Sequence, residues 1–98
     1  MAVQHMVWLK FKPGVTEERI EKHMRALHAM QDKVPQAQYV AAGPSLCDRA
    51  GDYTHAVLVT LNSPEDLQPY EDHPEHERVA APLKEDAEVM AIDIDDGR

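Results

Sequence analysis

The stretch "VQHMVWLKFKPGVTEERIE", residues 3–21, changes its period halfway along, and that change decides the fold. Over residues 3 to 11 the side chains alternate. Val3, His5, Val7, Leu9 and Phe11 share one face, and Gln4, Met6, Trp8 and Lys10 share the other, as in a strand. Pro13 and Gly14 are turn residues. Thr16 followed by Glu17 and Glu18 is a helix start: a hydroxyl for the free amides, and acids at the positive end of the dipole. Ile20, Met24, Leu27, Met30 or Gln31, and Val34 then recur every three or four residues and form one apolar stripe. Pro35 ends the helix.

The same grammar returns downstream. "YTHAVLVTL" (53–61) places Tyr53, His55, Val57, Val59 and Leu61 on one face and Thr54, Ala56, Leu58 and Thr60 on the other. Ser63, Pro64, Glu65 and Asp66 make a second helix start, with proline at the position where its missing N–H costs nothing. Pro69 predicts that this helix is short or kinked. A further turn begins at Pro74, carries Val79 and Leu83, and is expected to be interrupted at Pro82. "AQYVAAG" (37–43) and "EVMAIDI" (88–94) supply the remaining strands, and "GPSLCDRAGD" (43–52) reads as a loop.

Strand, helix, strand, strand, helix, strand is the order of an α+β, ferredoxin-like βαββαβ sheet with its helices on one face. The chain has 98 residues, enough for a single domain over 1–98. The face left without helices carries Met6, Trp8 and Leu58. That is too apolar for water, so the reading predicts a homodimer packed sheet face to sheet face, a dimeric α+β barrel.

Composition narrows the partners. Eighteen acidic against ten basic residues give a formal charge of −8, which repels phosphate backbones and anionic headgroups. Neither nucleic acid nor membrane is expected. The one cysteine, Cys47, excludes an intrachain disulfide and suits a reducing compartment. With no signal-peptide pattern at the N-terminus, the expected location is the cytoplasm.

Two groups of residues invite chemistry. His5 and His55 both fall in helix-facing sets, where a buried imidazole needs partners. Each alone reads as a satisfied core histidine; two on one face suggest a polar pocket between sheet and helices. Both stand near strand starts on antiparallel neighbours, which allows opposite ends of that pocket. The denser signal is "YEDHPEH" (70–76). Prolines 69 and 74 break helical continuity, so Tyr70 and His76 can converge. His76 falls in the first turn after Pro74, where the helix dipole disfavours a cation and keeps the imidazole neutral. A neutral imidazole beside a phenol suits proton abstraction next to a carbonyl: one group takes the proton, the other donates to the enolate oxygen. His73, held extended before Pro74, reads as the anchor of the turn. The competing reading is that both histidines only cap and pack a short helix. "HPEH" lacks a third and fourth metal ligand, so no metal is expected. His23 is expected to face solvent and His28 to border the apolar stripe. The acidic runs "EERIE", "EDHPEHE" and "KEDAE" read as solvated helix faces.

These residues resemble the stress-responsive dimeric A/B barrel family. The likeness lies in the first-strand "HMVWLKFK", the "SPEDLQPYEDHPEH" segment and the closing "IDID". It implies the same fold and dimer, with a ligand pocket between each sheet and its helices. By similarity to a plant polyketide cyclase of that family, His76 would be the general base and Tyr70 would hold the substrate carbonyl. His5 and His55 would be pocket polar residues. The first helix offers Met24, Leu27 and His28 as lining where that cyclase has aromatic side chains, so a pentyl-tailed substrate is not implied. The function expected is binding of a small aromatic or polyketide-like molecule, with cofactor-free cyclase or lyase chemistry on a β-dicarbonyl. Two alternatives stand beside it: a non-catalytic stress-response binding or assembly protein, and a cofactor-free or haem-dependent oxygenase-like barrel.

Overall fold

The computed structural model describes residues 1–97. Its strands are β1 (Val3–Phe11), β2 (Tyr39–Pro44), β3 (His55–Leu61) and β4 (Ala87–Asp95). Its helices are α1 (Glu17–Lys33), α2 (Leu67–Asp72) and α3 (Pro74–Asp86), with a 3₁₀ turn at Pro64–Asp66 before α2. The sheet order is β2-β3-β1-β4, antiparallel throughout, which is the ferredoxin-like arrangement. None of the described helices is long and apolar enough to cross a membrane.

Local chemistry explains the boundaries. Gly14 takes φ +89°, a conformation open to glycine at no steric cost, and so turns the chain from β1 towards α1. The Arg19 N–H donates to Thr16 Oγ1 at 3.2 Å, and the Val34 N–H closes α1 on the Met30 carbonyl just before Pro35. Pro69 falls in the first turn of α2, where its missing N–H has no intrahelical partner to lose, and α2 is indeed short. Pro82 behaves differently from expectation: α3 runs through it to Asp86. The proline is exposed, so water can take the Arg78 carbonyl that loses its donor, while Val79 and Leu83 hold the helix to the core from the other side.

The core lies between the sheet and α1 and α3, with Leu9, Met30, Val34, Val59, Leu61 and Tyr70 almost fully buried. Each such side chain contributes about 1.5–3 kcal/mol by leaving water. The helices stop short of β4. Apart from Ala87 this strand is exposed on both faces, and even Val89, which faces the helix side, is 39% exposed. On the bare face the register sets Trp8 beside Met90 and Ala56, and Met6 beside Ile92 and Leu58. Trp8 is 40% exposed, and Met90 and Ile92 are each 46% exposed. The unpartnered apolar stripe is therefore wider than Met6, Trp8 and Leu58 alone, because β4 extends it.

Candidate functional site

The break between α2 and α3 builds the site. His73 has φ −64° and ψ 134°, the extended geometry imposed on a residue before proline, and its Nδ1 accepts the Glu75 N–H at 3.1 Å. The ring thus caps α3, while Pro74 fills the first helical position. His73→Ala should remove this cap and cost about 1 kcal/mol of stability. Scanning calorimetry should then show a melting temperature about 4–8 °C lower, with ligand affinity changed less than twofold.

The angle between the two helices turns Tyr70 and His76 towards each other. Their ring centroids are 4.7 Å apart at an interplanar angle of 55°. The Nδ1–H of His76 donates to the Glu71 carbonyl oxygen at 3.0 Å. A carbonyl can only accept, so this bond assigns the tautomer: Nδ1 carries the proton and Nε2 keeps its lone pair. The imidazole's affinity for a second proton is lowered, first by burial, which outweighs the Glu71 carbonyl. Burial thus favours the neutral ring.

Tyr70 is buried, and its hydroxyl has no hydrogen-bond partner among the described residues. Burial and the neighbouring Glu71 and Asp93 charges push its pKa far above the usual phenol range. It therefore remains a proton-bearing donor at any ordinary pH. On its other side lies His5, with ring centroids 5.5 Å apart in edge-to-face contact. His5 Nδ1 is hydrogen-bonded to the Asp93 carboxylate, which β4 places directly opposite in the register. This pairing satisfies one nitrogen of a buried imidazole. Asp93 was not legible as a partner, because strand register cannot be read from a single strand.

These three rings form the polar wall of a cavity of about 170 Å³. Leu27, Met30, Val57, Val79 and Leu83 supply an apolar floor, and Glu71 and Lys84 also border it.

Other candidate residues lie elsewhere. His55 pairs with Leu9, whereas His5 pairs with Val59, so the two histidines are four strand positions apart, or about 13 Å. His55 sits edge-on to Phe11 at 5.3 Å and does not line the cavity with Tyr70 and His76. Of Met24, Leu27 and His28 on α1, Leu27 lines the cavity. Met24 packs against the core, and His28 Nε2–H donates to the Ala42 carbonyl of β2 at 2.9 Å. Cys47 is exposed on the loop between β2 and β3.

His23 does not face solvent. Its Nε2–H donates to Asp86 Oδ2 at 2.7 Å, and Arg19 Nη2 reaches Asp86 Oδ1 at 2.7 Å. Asp86, although part of the acidic run "KEDAE", is buried at the end of α3. Its carboxyl is held below the usual range, chiefly by the His23 hydrogen bond and then by Arg19. The cluster pins the start of α1 to the end of α3, a contact that no periodicity announces.

Comparison with known proteins agrees with this architecture. Olivetolic acid cyclase of Cannabis sativa is 35% identical over 78 residues, which cover 78% of this chain and 77% of the cyclase. A dimeric ferredoxin-like protein from Thermobifida fusca is 27% identical, with a TM-score of 0.77 over 96% of this chain and 90% of its own. Hydroxynitrile lyase from Passiflora edulis shares the fold at 23% identity, with a TM-score of 0.79 over 99% of this chain and 96% of the lyase. Residues 3–96 match the family described as the stress responsive A/B barrel domain, and the chain belongs to that family.

Proposed function

We propose that this protein is a small-molecule-binding A/B barrel that closes a ring on a β-polycarbonyl substrate by an aldol-type reaction without a cofactor. The observation that carries the proposal is the Tyr70–His76 pair at the cavity wall, with His76 Nε2 unprotonated and the Tyr70 hydroxyl unpartnered. The name of the Cannabis relative, a cyclase at 35% identity, supports ring closure as the outcome.

The steps follow from the two groups. His76 Nε2 takes a proton from the carbon between two carbonyls, and the electrons pass to an oxygen that accepts the Tyr70 hydrogen bond. The enolate carbon attacks a distant carbonyl of the same chain and forms a C–C bond. The new alkoxide receives the proton from His76, and loss of water completes an unsaturated ring. No electron leaves or enters. A positioned base is worth about 10²–10⁴-fold, and holding a flexible chain folded in the cavity supplies the rest. The working form is a homodimer closed through the Trp8 face.

The test uses 3,5,7-trioxooctanoate, whose closure between its second and seventh carbons yields 2,4-dihydroxy-6-methylbenzoate and one water. Aromatic absorbance appearing faster than in buffer supports the reading; a rate equal to buffer overturns it.

The pH dependence has a definite sign. Only neutral His76 can accept a proton, and burial lowers its pKa. The acid limb of kcat/KM should therefore have its midpoint below about 6.5, the ordinary histidine value, and should disappear in His76→Gln. A midpoint above that value would mean that another group is the base.

A further inference from the structure

Lys84 borders the cavity on α3, two turns beyond His76. Among the described residues it has no ion-pair partner, in a chain with eighteen acids and ten bases. Its charge reaches His76, where it adds to the resistance against protonation. Helical side chains lean towards the N-terminus, so the four-carbon stem of Lys84 points back along α3 in the direction of His76. The eight-residue separation corresponds to about 12 Å of helix rise, and the lean of the stem shortens that gap to molecular size. Glu71, the other charged residue at this cavity, is exposed near the Tyr70 end. It would repel an anion there and so directs a negative group towards Lys84.

Size is the second constraint. A dry apolar cavity of about 150 Å³ accommodates one benzene ring, and this cavity measures about 170 Å³. One six-membered ring with small substituents fills this space; a long alkyl tail would have to run out of it past the exposed Glu71 and Lys84.

We infer that the cavity selects a compact monoanionic acid, with the carboxylate on Lys84, a carbonyl or enol oxygen accepting from the Tyr70 hydroxyl and an enol hydroxyl donating to His76 Nε2. The inference rests on the proposed function for the choice of oxygen-bearing ligand, yet binding alone tests it. Isothermal titration should compare 2,4-dihydroxy-6-methylbenzoate, its primary amide and the 6-pentyl acid. The methyl acid should bind at least tenfold more tightly than the amide and the pentyl acid. Lys84→Gln should reduce the acid-to-amide ratio to less than twofold, and Lys84→Arg should restore most of it. An amide that binds as well as the acid, a ratio unchanged in Lys84→Gln, or no saturable binding of the methyl acid at millimolar concentration overturns the inference. An equal or tighter pentyl acid overturns its size limit. His76→Gln separates the two ideas. If wild type shows no turnover but both proteins keep the acid-to-amide ratio, the acid site stands and the cyclase reading falls.

Discussion

His76→Gln should reduce turnover of 3,5,7-trioxooctanoate by about 10²–10⁴-fold, the usual loss when a positioned base is removed. The fold should survive, because the glutamine amide can donate to the Glu71 carbonyl that His76 Nδ1–H now occupies. Tyr70→Phe should lose less, about tenfold, since it removes one neutral hydrogen bond and leaves the base in place. The ring itself remains to fill its buried position. Steady-state kinetics set against thermal melting makes the comparison. If His76→Gln melts much lower while ligand affinity is unchanged, the imidazole is a packing group and the enzyme reading fails.

Trp8→Glu should convert a dimer into monomer or aggregate. Trp8 lies at the middle of the bare face, beside Met90 on one strand and Ala56 on the other. In a two-fold interface the same patch serves both subunits, so one substitution introduces two carboxylates. Burying either without a partner costs several kcal/mol, more than most single interface side chains contribute. The described kinship with dimeric ferredoxin-like proteins supports this expectation. Multi-angle light scattering reads monomer as a halving of mass and aggregate as a large rise; an unchanged, well-folded dimer would show that the stripe is not the interface.

The sheet and its bare face were legible because they depend on short-range patterns. Alternation in residues 3–11 and 53–61 assigns each side chain to a face, and a proline or glycine punctuates each element. The same local logic placed His73 before its proline as the anchor of α3, and its ring caps that helix. Pro82 misled because a proline's effect depends on what surrounds it. On an exposed helix face water replaces the lost bond, and core contacts keep the helix intact.

What the sequence determined by itself was the order of elements, the face of each strand and the crowding of Tyr70, His73 and His76 into one turn. Tertiary structure alone decided which distant residues meet. Register carried His55 away from Tyr70 and brought Asp93 to His5, because an antiparallel ladder can slide by two residues without disturbing the alternation that the sequence displays. Burial likewise decided the charges. His23 and Asp86 look like surface residues in their own segments, yet they are covered once α1 and α3 pack, and each then needs the other. The neutrality of His76 also has this origin. A motif places the ring in the first turn of a helix, but water exclusion by the surrounding chain does most to keep the second proton away.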